Sequence, residues 1–187
     1  AELAARDASL SHRGDGIYGA MFVAALGAAI PASSSLEAAV DQALEQIPAT
    51  SRAAAAVSFG RSIAGRDDAV EHLHREYAGL PPVHALNNLA LVVWALLSAG
   101  DDFSAAIGEA VAAGWDTDCN GATVGGLFGL TGKPIPRHWT APWNERVGVN
   151  LAGQSELSLD DLVARTMAVA ARVAAVNAPA IPSKPLT

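Results

Sequence analysis

The sequence predicts an all-α fold, and three observations carry that prediction. About half of the residues are apolar, 51% of 187, enough to bury a sizeable core in one domain. Alanine is abundant and aromatics are sparse, and alanine both favours helix and lets helices approach closely. The period-two alternation of half-buried strands is read nowhere along the chain.

Each helix follows in order. Ala1 to Leu10 is already helical in pattern, with Leu3, Ala4, Ala8 and Leu10 apolar between charged Glu2, Arg6 and Asp7. No capping residue precedes it to satisfy the first backbone N–H groups, so the chain is expected to be a fragment, a cleaved subunit or a truncated relative. After the polar stretch Ser11 to Asp15, Ile17 to Ile30 is apolar nearly all round and stops at Pro31, which predicts a helix at the centre of a bundle. Ser35 then caps an amphipathic surface helix whose apolar positions run from Leu36 to Ile47, before Pro48.

Arg52 to Ala64 and Asp67 to Tyr77 read as a helical pair joined by Gly65 and ended by Gly79 and Pro81-Pro82, with His72 and His74 solvated. A strongly apolar helix runs from Val83 to Ser98. Gly100-Asp101-Asp102 leads into Phe103 to Ala113, which Gly114 closes, and Asp118 to Leu130 follows. Lys133 to Pro142 reads as a Pro-rich loop. A long helix from Leu159 to Val176 opens on Ser158, with Asp160 and Asp161 where the helix dipole favours acids. Residues 1–177 are thus expected to form one helical domain and 178–187 a Pro-rich tail.

Charge and cysteine content exclude several classes. The formal charge is −7 and no Lys/Arg run appears, so a nucleic-acid duplex is not an expected partner. Cys119 is the only cysteine, which forbids an intramolecular disulfide, disfavours a thiolate zinc site and makes a reducing cytoplasm the expected compartment. Its thiol is expected to be buried and unreactive. The longest uncharged stretch, Gly16 to Leu36, is broken by Pro31 and serines, so neither a membrane span nor a signal peptide is read there.

The chemistry concentrates in Gly114 to Gly129, GWDTDCNGATVGGLFG. Asp116 and Asp118, two residues apart at a turn between helices, can converge on one hard cation that prefers oxygen ligands. Gly121, Gly125 and Gly129 recur every four residues, a bare helix stripe that costs helix propensity and so implies close contact with another backbone. Gly14, Gly16, Gly19 and Ala20 make the helix after His12 the expected partner, bringing Ser11, His12 and Asp15 toward the two acids. The bland alternative stays open: Asp118 caps its helix, Asp116 is a solvated turn residue and the glycines serve packing alone.

That stretch resembles the carboxy-terminal metal motif of the ADP-ribosylglycohydrolase family, the group that includes dinitrogenase-reductase-activating glycohydrolase and crystallin relatives. Ala4 to Gly19, AARDASLSHRGDGIYG, is similar to the family segment whose histidine lies beside ADP-ribose. His84 to Asn88, HALNN, with Asp101 to Phe103, Ile135-Pro136 and Trp139, extends the likeness over residues 1 to 170. It spans only the second half of a usual member. The amino-terminal acidic segment, a Thr-Asp-Asp stretch that completes the metal site and an Asn-Gly loop that grips phosphate and ribose have no counterpart here. Many members also carry threonine as a ligand directly after the second aspartate, where this chain has Cys119. A neutral thiol is a poor ligand for magnesium, so water, Thr117 or Asn120 is left to fill that position.

The resemblance implies a compact orthogonal helical bundle that hydrolyses a ribosyl glycosidic bond of ADP-ribose-type substrates. It implies Asp116 and Asp118 as ligands of magnesium or manganese, in a dinuclear site in the complete protein. Substrate contacts would come from His12, with Asp15 and Asn120, and His84 and Asn88 would serve as packing or inter-helix hydrogen-bond residues. The catalytic acids are expected in the missing half, whether an upstream segment or a companion chain. Two other readings are a hydrolase of a free nucleoside-type N-glycoside and a catalytically silent structural or interaction relative.

Overall fold

The computed structural model of the chain describes residues 1–177, so the tail expected at 178–187 lies outside the described residues. Two compact units are present, Ala1–Ile135 and a second beginning at Pro136. In the first, α1 (Glu2–Ala8) and α2 (Asp15–Ala29) are followed by a 3₁₀ turn, Ile30–Ala32, and by α3 (Leu36–Leu44) and α4 (Arg52–Ser62). Then come α5 (Ala69–Glu76), α6 (Ala85–Ser98), α7 (Phe103–Ala112) and α8 (Thr117–Gly129).

Local chemistry explains most of these boundaries. The Ser35 hydroxyl accepts from the Ala38 N–H at 3.1 Å and the Ser51 hydroxyl from Ala54 N–H at 3.1 Å, satisfying donors that α3 and α4 would otherwise leave free. Asp102 accepts from Ser104 and Ala105 N–H at 2.8 and 3.1 Å to start α7. The first helix has no side-chain cap bond, as its sequence implies.

The centre of the unit is α6, with ten of its fourteen residues buried. The expectation that the Ile17 to Ile30 helix would be central is corrected. Its bulk lies on one face, where Phe22 and Leu26 are fully buried, while small Ala20 and the half-buried Val23 line an open cleft. A helix built from alanine and glycine is apolar all round without having enough side chain to be gripped all round. By length and composition alone Asp15–Ala32 would also cross a membrane; in this fold Phe22, Leu26 and Ile30 belong to the core.

The backbones of α4 and α6 approach closely. A Cβ added at Gly60 would lie 2.3 Å from the Ala90 carbonyl oxygen, so only glycine lets these helices meet as they do. The stripe on α8 has a different partner from the one expected. Gly121 and Gly125 face α7, with Val111 Cγ2 and Ile107 Cδ1 each 3.2 Å from an added Cβ, and Gly129 faces open space. The stripe therefore accommodates side chains of the preceding helix instead of the backbone of α2.

In the second unit the segment read as a loop holds a short helix, α9 (Arg137–Thr140), and a 3₁₀ turn, Ala141–Trp143. Strands β1 (Arg146–Leu151) and β2 (Gln154–Ser158) then form an antiparallel hairpin, which corrects the reading that strand alternation is absent. Val147, Val149 and Leu151 do alternate, and Gly153 takes the positive φ, 75°, that the tight turn needs. Val147 pairs with Leu157, and Arg146 Nε donates to Glu156 across the strands. The final helix, α10 (Leu159–Asn177), begins where predicted.

Candidate active site

The candidate site is a cleft of about 960 Å³ in the first unit, walled by the α1–α2 loop, the start of α2, the start of α6 and the first turns of α8. His12, Asp15, Asp116 and Asn120 all line it; Asp118 does not, standing exposed on the first turn of α8. Four of the five residues singled out from sequence thus share one hollow, although they lie as far apart in the chain as 12 and 120.

Three long-range hydrogen bonds fix the walls of this hollow. Asp15, in the first turn of α2, accepts at Oδ1 from the Ala53 N–H at 3.1 Å, capping the start of α4 and fixing the α1–α2 loop to it. One oxygen of Asp15 is therefore engaged structurally. On the other wall, Asn88 of α6 accepts at Oδ1 from Asn120 Nδ2 at 2.7 Å and, more loosely, from the Asp116 N–H at 3.4 Å. The amide nitrogen of Asn88 is held in turn by the Pro82 and His84 carbonyls at 2.7 and 2.9 Å. Asn120 is 2% exposed, and a buried amide must be paired to be tolerated. Asn88 is the inter-helix hydrogen-bond residue of the site, and His84 caps α6 by accepting from the Leu86 N–H at 3.2 Å.

His12 is exposed at the lip, its Nδ1 bonded to the Ser11 hydroxyl at 2.8 Å. Its ring lies over Gly16, where an added Cβ would fall 2.9 Å from His12 Cδ2. The glycine makes room for the imidazole. Sequence reasoning missed Arg52 and Arg13, both on the cleft wall. Arg52 opens α4 directly after its Ser51 cap, and the Asp15 to Ala53 bond, invisible in sequence, ties that helix start to the site.

The two acids lie at the mouth of α8. Asp116 is its capping residue by position but makes no side-chain cap bond, and Asp118 occupies the first turn, where the helix dipole favours a carboxylate. The alternative in which Asp118 caps the helix is not what the structure shows. Ligand atoms of Asp116, Asp118 and Cys119 fall within 4.8 Å of one another. Cys119 is exposed, which corrects the expectation of a buried thiol: the third residue of α8 lies on the wall of the open cleft. A hydrogen bond to Asp116 and the charges of Asp116 and Asp118 push its pKa up, so the thiol stays protonated and is a weak nucleophile. The donor set fits a hard cation through its two carboxylates and does not fit one through the thiol.

Against known proteins, one family model, described as ADP-ribosylglycohydrolase, matches residues 1–175. No curated protein and no solved structure matches the chain.

Proposed function

The chain belongs to the ADP-ribosylglycohydrolase family, and from that membership we propose that it takes part in hydrolysis of the glycosidic bond linking ADP-ribose, or a related ribosyl group, to an acceptor. The observation that carries the reading is the convergence of His12, Asp15, Asp116 and Asn120 on one cleft of a size suited to a nucleotide-like ligand. Asp116 and Asp118 would hold magnesium or manganese. When bound, such a cation orients ribose hydroxyls and lowers the cost of ionising the attacking water.

The chain's own residues do the rest. Ser11 holds Nδ1 of His12 and leaves Nε2 as the ring atom open to a substrate oxygen. Asn88 keeps Asn120 and the Asp116 backbone in register, so that the Asp116 carboxylate is presented from a fixed helix terminus. Arg13 and Arg52 supply positive charge to a cleft whose ligand carries phosphates. Two carboxylates are fewer ligands than an octahedral shell requires, and we propose that water and acids from outside residues 1–177 complete it.

Calorimetric titration with Mn²⁺ tests the assignment, alongside chromatographic detection of ADP-ribose released from an ADP-ribosylated protein. Asp118→Ala is expected to weaken Mn²⁺ binding at least tenfold, on the scale of ligand-shell losses. Equal affinity in the two proteins would remove the pair from the metal site. One observation favours the second reading, a catalytically silent relative: Cys119 stands where the family motif offers an oxygen ligand. Mn²⁺ binding without ADP-ribose release, even with the amino-terminal half of a family member added in trans, would favour it.

A further inference from the structure

The turn from α7 into α8 is built on an unusual backbone. Gly114 and Trp115 both take positive φ, 88° and 60°. Glycine adopts this region freely, but a bulky aromatic residue does so only when its surroundings hold it there. These two residues lie between the end of α7 and the start of α8 and deliver Asp116 at the mouth of α8.

What holds Trp115 comes from α5 and the residue after it. The His74 ring lies 4.5 Å from the indole at a 43° tilt, and the Tyr77 ring meets it edge-on at 6.3 Å. Tyr77 is braced in turn by Phe59 of α4 at 5.8 Å. His74 makes a second contact with the same turn, since its Nε2 lies 2.8 Å from the Ala113 carbonyl oxygen. A carbonyl only accepts, so Nε2 carries the proton and the tautomer is fixed. His74 thus touches the turn twice, at Ala113 and at Trp115, while the Asp116 N–H reaches Asn88 Oδ1 at 3.4 Å. His74 is exposed, as the sequence implies, and makes both contacts from the surface.

The geometry points to His74 and Trp115 as a clamp: they hold the strained Gly114-Trp115 step and so position the Asp116 and Asp118 carboxylates toward one cation. This inference rests on the reading of those aspartates as cation ligands, and neither clamp residue is a ligand itself. Residues of this kind tune a site by fixing its ligands, and their loss typically costs roughly 10- to 100-fold in metal affinity.

The test has a metal-free arm and a metal arm, both on the full chain. Carbon and amide chemical shifts of Trp115 in the NMR spectrum report whether it stays at positive φ. The clamp predicts that His74→Ala and Trp115→Ala, which keeps the Cβ that disfavours positive φ, relax the turn, whereas Trp115→Phe, which keeps a stacking ring, retains the left-handed signature. Mn²⁺ titration should then show roughly tenfold weaker binding for His74→Ala and Trp115→Ala and near-native binding for Trp115→Phe, each variant still unfolding in one cooperative thermal transition. A Trp115 that remains left-handed in His74→Ala overturns the clamp. A relaxed turn with native Mn²⁺ affinity overturns the positioning role while leaving the site intact. If Asp118→Ala binds Mn²⁺ like the unsubstituted chain, the metal reading itself falls, and the positioning role goes with it.

Discussion

Replacing Gly60 by alanine should destabilise the protein, although the same change inside most helices does the opposite. Alanine gains about 0.5–1 kcal/mol over glycine in a helix interior. Here the new methyl would stand 2.3 Å from the Ala90 carbonyl oxygen, 3.1 Å from its carbon and 3.3 Å from Cα. All three are backbone atoms of α6, so no side chain can swing aside. Restoring van der Waals distance requires α4 and α6 to separate by on the order of 1 Å along a seam that includes fully buried Ala53, Val57 and Ala90. Overpacking of this kind costs about 1–3 kcal/mol, and more where backbone must move. The net expectation is a loss of about 1–2 kcal/mol, seen as a lower urea midpoint at constant slope. Gly108→Ala is the control: Gly108 is exposed in the interior of α7 with nothing within 4 Å of an added Cβ, and it should gain up to about 1 kcal/mol. A Gly60→Ala midpoint equal to or above the native one would refute the close approach of α4 and α6.

Two further predictions concern titration. Cys119 is the sole thiol, so its ionisation can be followed through the pH dependence of its alkylation rate without interference from another thiol; the midpoint should lie above that of a free cysteine and fall in Asp116→Asn, because the hydrogen bond to Asp116 is the largest cause of the rise. A midpoint indifferent to Asp116 would mean that the two groups do not meet. Tyr77 is pushed up from 10.0 to about 12, chiefly by burial; its folded form keeps the proton longer than the unfolded chain does, so the stability it contributes is whole below pH 10 and is lost as pH rises toward 12. Unfolding measured across that window should fall less steeply in Tyr77→Phe, and equal slopes would count against a buried phenol.

The helices were legible because their boundaries are written in local chemistry. Ser35, Ser51 and Asp102 each satisfy backbone donors within three residues, and Pro31 and Pro48 forbid continuation regardless of what packs nearby. Burial was less legible. The α2 sequence and the α6 sequence are both strongly apolar, yet only the second carries large side chains on every face, Leu89, Leu91, Val93, Trp94 and Leu96 among them. The hairpin was missed because three alternating residues, Val147, Val149 and Leu151, are too few to stand out beside nineteen residues of helix, Leu159–Asn177. Gly60 was missed for a related reason: one glycine among alanines says nothing about which backbone comes near it.

The site separates along the same line. Asp116 and Asp118 are read from adjacent positions, and their convergence follows from the turn they share. Their meeting with His12 and Asp15 had been argued from the glycine stripe, and that argument was wrong in its partner: Gly121 and Gly125 look toward α7. Asp116 shares the cleft with them all the same, while Asp118 stays outside it, and the two walls are fixed by amide and carboxylate bonds between residues 32 and 38 positions apart, Asn120 with Asn88 and Ala53 with Asp15. Polar side chains at such separations carry no periodic signal, so a sequence displays them only as isolated Asn and Asp residues. Their burial is what makes them decisive. An amide at 2% exposure that loses its partner bears the full cost of an unsatisfied polar group, about 1–3 kcal/mol, which confines α6 and α8 to the one arrangement that pairs Asn88 with Asn120. The wall that presents Asp116 to the cleft is therefore specified by a polar contact, while the apolar helices around it set only how closely that wall packs.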